Sequence, residues 1–188
     1  MNIFYLDKDP KTCARMHCDK HVVKMIIEYA QLMSTAHRVL DGDPYVSQTL
    51  GGRRIQRWRH PIENHEKLLY KASHVNHPSG KWVRESQNHY NWLYRMWTHL
   101  CYEYTKRYNK THLTITKCQD FLSTPPVYLK DALYGDPINM PQCMPDEYKD
   151  KCSIKAYWNY YIGEKHVVAN PKTEKIYSTI PGTVTTAH

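Results

Sequence analysis

Apolar residues recur at helical spacing over most of this chain. The clearest run is Asp19 to Leu40, where Val22, Ile26, Tyr29, Met33, Ala36 and Leu40 share one face and Val23, Ile27 and Ala30 widen it. Asp41-Gly42-Asp43-Pro44 ends it. A second run, Ser86 to Asn109, aligns Leu93, Met96, Trp97, Leu100, Cys101 and Tyr104. Shorter helices are predicted elsewhere. One runs from Asp9 to about His17, with Asp9 as cap and Pro10 in the first helical position. Another spans Pro61 to about Ser73, and a third is capped by Ser79 after the turn at His77–Gly80. Two more cover Leu113–Leu122, stopped by Pro125-Pro126, and the aromatic segment Ser153–Glu164. Asn2–Leu6 reads as a small strand or an extended arm. Residues 44–65 read as irregular around a flexible Gly51-Gly52 pair, and 123–150 as a proline-rich wrapping loop. No β-alternation rises above noise, and no internal repeat is visible. The expected fold is all-α (mainly α): a compact helical bundle with long loops and a short N-terminal arm. It forms one domain over residues 1–169, with a polar tail over 170–188.

The long helix at 19–40 carries one polar line, His21, Lys24, Glu28, Gln31, Thr35 and Arg38, in steps of three and four. A solvated edge is the ordinary reading of such a line, and a Lys24–Glu28 pair is common on any helix. The wide apolar face favours a cleft instead, where a Glu beside a Lys and a His forms an acid/base constellation.

Charge changes the picture. Lys and Arg number 26 against 18 Asp and Glu, a formal +8 over 188 residues, which favours a polyanionic partner. The densest basic patch is Gly51-Gly-Arg-Arg-Ile-Gln-Arg-Trp-Arg-His60. Arg53, Arg54, Arg57 and Arg59 are candidate phosphate ligands, and Lys81 and Arg84 extend the patch. A basic loop is also ordinary in so basic a protein. The 16 Tyr and 5 Trp against 2 Phe fit either base stacking or a core that uses Tyr in place of Phe. Cys13, His17, Cys18 and His21 have partial metal-ligand spacing, but four ligands do not converge easily from one continuous helix. Buried, hydrogen-bonded roles are therefore preferred, and no metal or cofactor is expected. No apolar run is long enough to cross a membrane, and no signal peptide or dense disulfide framework is visible. The expected setting is cytoplasmic, as a monomer with reduced thiols and no membrane partner. No Walker motif, dinucleotide fingerprint or Gly-x-Ser-x-Gly occurs, so P-loop and α/β-hydrolase chemistry lose support.

The segment Asp19-Lys20-His21-Val22…Glu28 resembles the first helix of the small pyrimidine-dimer DNA glycosylase/lyase family of bacteriophages. That family has an Asp-x-His-apolar start with its Glu seven residues after the His. Asn91-Trp-Leu-Tyr-Arg…Leu100-Cys-Tyr-Glu-Tyr-Thr-Lys-Arg107 resembles the family's long second helix. Met144-Pro-Asp-Glu-Tyr-Lys followed by Ala156-Tyr-Trp-Asn-Tyr-Tyr is similar in placement to its last helix and aromatic tail. The resemblance implies an all-α DNA N-glycosylase that flips a damaged or modified pyrimidine and cuts its glycosidic bond, with or without AP-lyase activity. It gives Glu28 the acid/base role and His21 a supporting one. In that family an α-amine freed by removal of the initiator Met attacks the sugar. Here residue 2 is Asn, large enough to hinder that removal. Three routes stay open: the amine of Met1, Lys24 as an internal amine, or water activated by Glu28. A shared fold with different chemistry is a fourth. DNA is expected as partner in preference to RNA. The alternative reading is a non-catalytic nucleic-acid-binding protein of viral origin.

Overall fold

The computed structural model describes residues 1–130 and 139–164. The expected tail over 170–188, and the boundary that sets it off at 169, lie outside the described residues. The order of elements is α1 (Pro10–Arg15), α2 (Asp19–Asp41), β1 (Asp43–Gln48), β2 (Arg54–Arg59), α3 (Glu63–Leu68), α4 (Pro78–Val83), α5 (Gln87–Tyr108), α6 (Leu113–Leu122), a 3-10 turn at Asp146–Tyr148, and α7 (Ser153–Glu164). The protein is mainly helical, as the periodicity predicts, with one small two-stranded hairpin. Among the described residues no helix is long and apolar enough to cross a membrane.

Helices α2 and α5 form the centre. Val22, Ile26, Tyr29 and Met33 of α2 and Leu93, Met96, Trp97 and Leu100 of α5 are all fully buried. The Trp97 indole N–H donates to the carbonyl of Ile26 at 2.9 Å, fixing the two helices in register. Local chemistry sets the ends. Asp9 caps α1 by accepting from the Thr12 N–H at 2.8 Å, with Pro10 following it. Ser86 caps α5, which closes at Asn109 in the left-handed region (φ 53°), a conformation Asn tolerates better than most residues. Arg107 near that end donates to the last carbonyls of the first turn region, Arg15 at 2.9 Å and His17 at 2.8 Å, and pairs with Asp19 at 3.0 Å.

The N-terminal segment is an arm, and it is buried. Ile3, Phe4, Tyr5 and Leu6 sit inside the core beneath α7. The Trp158 indole donates to the Leu6 carbonyl at 3.0 Å, and the Phe4 ring meets Tyr157 and Tyr161 edge-on. Part of the tyrosine excess serves the core. Tyr29, Tyr90, Tyr157 and Tyr161 are fully buried, and each hydroxyl has a partner: His17 for Tyr29, the Leu122 carbonyl for Tyr90, the Pro141 carbonyl for Tyr157, and the Cys18 N–H for Tyr161.

Three local expectations need correction. Residues 43–59, expected to be irregular, form an antiparallel hairpin with Asp43 opposite Arg59 and Gln48 opposite Arg54. Gly51-Gly52 is its turn rather than a loose hinge. The Gly52 N–H donates to the Thr49 carbonyl at 2.9 Å, and Gly52 adopts φ 76°, which suits glycine. The helix expected over 61–73 is confined to Glu63–Leu68, after which residues 69–73 run extended against α2. The cap of α4 is His77, whose Nδ1 accepts the Ser79 N–H at 3.2 Å; Ser79 itself lies inside the first turn.

Candidate active site and nucleic-acid interface

The polar line of α2 does not face one cleft along its length. At its start, His21 is buried, stacked on Phe4 at 4.4 Å and bonded through Nδ1 to the Tyr161 hydroxyl at 2.9 Å. At its far end, Thr35 and Arg38 bind backbone. The Thr35 hydroxyl exchanges bonds with the N–H and carbonyl of Ser73, and the Arg38 guanidinium reaches the carbonyls of Trp58, Glu66, Leu69 and Tyr70 and the Glu66 carboxylate. Only the middle of the line stays accessible. There Lys24 Nζ pairs with Glu28 Oε1 at 3.2 Å, with the Lys24 side chain 68% exposed and the Glu28 side chain 19%.

α2 packs against α4, which the turn His74–His77 precedes. His74 holds φ 51°, and the His77 N–H closes the turn on the His74 carbonyl at 2.9 Å. The His77 ring is pushed below the ordinary histidine range, first by burial, then by the N-terminal ammonium and His74, while Glu28 opposes the shift. Met1 packs partly buried on the core, and the Asn2 side-chain amide anchors the arm by donating to the Cys143 carbonyl at 2.7 Å. The structure thus pairs Lys24 with Glu28 on α2, and packs His21 between Phe4 and Tyr161.

Two grooves flank the same turn. One, of about 540 Å³, lies between β2 (Ile55–Trp58) and residues 72–76. The other, of about 440 Å³, runs from Asn76 past Lys81 and Trp82 to Pro141. Glu28 lines neither; the turn forms the ridge between them. The hairpin stands out from the body with β1 almost wholly exposed, and Arg53 and Arg54 are exposed at its tip. Arg57 points inward, its Nη1 on the Ala72 carbonyl at 3.3 Å, and Arg59 lies over the Tyr45 ring at 5.4 Å. Lys81 is exposed on the second groove. Arg84 is different. It is half-buried, donates to the Val75 carbonyl at 2.6 Å, and burial lowers its pKa. It braces the ridge from behind.

The zinc reading of Cys13, His17, Cys18 and His21 does not survive. The Cys13 thiol is fully buried, bonds the Phe4 carbonyl at 3.2 Å, and has its pKa pushed up to about 12 by burial. His17 spends both ring nitrogens, on the Cys13 carbonyl at 2.9 Å and the Tyr29 hydroxyl at 2.8 Å, and burial lowers its pKa to about 3. The residues that sequence reasoning missed are His74 and His77. Their only local signal was the Pro78-Ser-Gly motif next to them, which marks a turn but not what the turn faces.

A family described as pyrimidine dimer DNA glycosylase matches residues 1–116. No curated protein and no solved structure matches the chain. The matched span, 116 of the 188 residues, holds the buried arm, α2 with Glu28, the basic hairpin, the 74–77 ridge and α5. The chain belongs to the pyrimidine dimer DNA glycosylase family.

Proposed function

We propose that the protein is a DNA N-glycosylase that acts on a damaged or modified pyrimidine, and that its reacting groups are the Met1 amine and Glu28. What supports this reading is the family match over residues 1–116, which spans both groups, with the Glu28 side chain largely buried and ion-paired to Lys24 at 3.2 Å. The exposed arginines of the hairpin, Arg53 and Arg54, with Arg59 and Lys81, hold phosphates on either side of the ridge. Arg57 reaches the duplex from the groove wall. An extruded nucleoside enters beside Glu28.

The chemistry follows from the charges. The neutral amine attacks the sugar C1′. The C1′–N bond breaks, and its electron pair leaves with the base, which takes up a proton. Loss of the amine's remaining protons and opening of the sugar ring give an imine. Glu28 stabilises the cationic sugar during this step and handles the protons. Abstraction of a proton from C2′ then expels the 3′ phosphate by β-elimination, which is the lyase activity. Lys24 suits the nucleophile role less well. Its side chain is 68% exposed and its Nζ is engaged by the Glu28 carboxylate at 3.2 Å. Its role is to hold the Glu28 carboxylate in place. His21 supports the arm through its stack on Phe4.

The test is strand nicking on ultraviolet-irradiated duplex, with borohydride trapping of the enzyme–DNA adduct. Glu28→Gln lowers nicking by about 10²–10⁴-fold, and Lys24→Met leaves the trapped adduct. Reductive methylation limited to the α-amine abolishes trapping. Full nicking by Glu28→Gln refutes the reading. Salt-dependent DNA binding without any cleavage would favour a non-catalytic binding protein.

A further inference from the structure

A second cluster of chemically competent side chains lies apart from the ridge, at the other end of α2. His37 comes from the last turns of α2, His60 from the residue after β2, and His65 from α3. Each offers a ring nitrogen, and the three atoms lie within 4.8 Å of one another. This is the one such grouping of metal-ligating side chains among the described residues. His37 and His60 are buried and His65 is partly so. The set lines a cavity of about 510 Å³ with Asp41, Asp120, Phe121 and Tyr128.

We propose that His37, His60 and His65 bind a divalent transition-metal ion of the zinc class, with its remaining coordination position open to this cavity. The geometry is close to what such an ion needs. Tetrahedral Zn–N bonds of about 2.0–2.1 Å put ligand nitrogens roughly 3.3 Å apart. His60 Nε2 and His65 Nδ1 already stand 3.4 Å apart. Two nitrogen atoms at that distance on adjacent rings hold either one shared proton or one shared cation.

The surroundings of His37 are those of a metal ligand. The Tyr90 hydroxyl donates to the Leu122 carbonyl at 3.1 Å, so it accepts from His37 Nε2–H at 2.8 Å. That bond engages Nε2 and leaves Nδ1, which faces the Asp41 carboxylate, as the ligating atom, the orienting pattern seen around metal-bound imidazoles. His37 Nδ1 stands 3.7 Å from Asp41 Oδ2. The Asp41 carboxylate is itself held by the N–H groups of Val127 and Tyr128 at 3.1 and 3.2 Å. It supplies negative charge beside the cation and lies within reach of the open position. The adjustment falls on His60. Its Nδ1 accepts the Ile62 N–H at 3.2 Å, so its proton sits on Nε2. Loading moves that proton to Nδ1 and releases the Ile62 contact. A soft, imidazole-binding ion repays this, whereas Mg²⁺ or Ca²⁺, which prefer oxygen, does not.

The full-length protein, stripped with a chelator and dialysed, is titrated with Zn²⁺ against a chromophoric competitor, and with Co²⁺ followed by visible absorption. One equivalent of Zn²⁺ binds per chain. Co²⁺ gives the intense visible bands of a four-coordinate nitrogen/oxygen site without a thiolate charge-transfer band. His65→Gln, which alters the most accessible ligand, and His60→Gln each weaken Zn²⁺ at least about 100-fold. His99→Gln on α5 does not. Circular dichroism confirms that the variants are folded, and the Co²⁺ spectrum of the unmodified protein decides the ligand class if they are not. Failure to bind one equivalent, a thiolate band, or binding unchanged in both variants overturns the assignment. None of these readouts depends on cleavage of DNA, so the site stands or falls apart from the proposed glycosylase.

Discussion

Replacement of Arg38 by Met is the most informative single perturbation of the scaffold. The guanidinium is 3% exposed and binds five acceptors from three separate stretches of chain: the Trp58 carbonyl at the end of β2, the Glu66 carbonyl and carboxylate on α3, and the Leu69 and Tyr70 carbonyls after it. Methionine fills much of the stem volume and donates nothing. The Glu66 carboxylate keeps the His60 N–H at 2.8 Å and is 38% exposed, so it recovers part of its solvation from water. The Leu69 carbonyl lies in a buried bond and does not. Removing one partner of a buried pair costs about 3–5 kcal/mol, and the partial exposure of Glu66 argues for the lower end. For a protein of this size that corresponds to a fall in Tm of roughly 6–20 °C. Thermal unfolding followed by far-ultraviolet circular dichroism measures the loss. Amide hydrogen exchange locates it: protection falls in β2 and residues 66–73 before it falls in α5. A loss under about 1 kcal/mol, or exchange that rises uniformly, refutes the claim that this one side chain fastens the hairpin to the bundle.

The other predictions are shorter. Gly42→Ala places a Cβ 2.4 Å from the Arg38 carbonyl oxygen and 3.0 Å from that of Arg59; backbone must move, and urea unfolding reports a loss of about 1–3 kcal/mol. His17 has a folded pKa near 3, below its unfolded value of 6.5. The unfolded chain therefore binds the extra proton, and stability falls with pH from about 6.5 toward 3, by up to about 1.4 kcal/mol per pH unit. His17→Gln flattens that stretch of the stability profile, and an unchanged slope refutes the assignment. Arg53→Ala with Arg54→Ala removes two exposed cations, so the slope of log K against log salt for duplex binding falls by about 1.8. Arg84→Ala leaves that slope nearly unchanged and lowers stability instead, since its partner is the Val75 carbonyl.

The helices were legible because each buries a stripe, and the caps at Asp9 and Ser86 are written in local chemistry. The hairpin was not, because β1 is exposed on both faces and β2 mixes Ile55, Arg57 and Trp58 among half-buried positions. Alternation marks a strand only when one side meets a core. The polar line of α2 was correctly seen and misread in part. Spacing shows that Thr35 and Arg38 share a line with Glu28, but not that residues 69–73 lie over them and claim their hydrogen bonds. Glu28 itself could be picked out from its interval after His21, although His21 is taken up by Phe4 and Tyr161 and Glu28 pairs with Lys24. The three-histidine cluster left no mark, since its members come from a helix, a strand exit and a short helix that only tertiary contact unites. The tyrosines were ambiguous until their hydroxyl partners, mostly backbone groups distant in sequence, were in view.

The arm that begins the chain is roofed by the helix that ends the described part of it, through Trp158 on Leu6 and Tyr161 on the Cys18 N–H. A ribosome delivers the first of these long before the second. Until α7 has emerged, Ile3–Leu6 have no lid, and the amine ahead of them has no fixed address. The arm's packing therefore completes only after α7 has emerged.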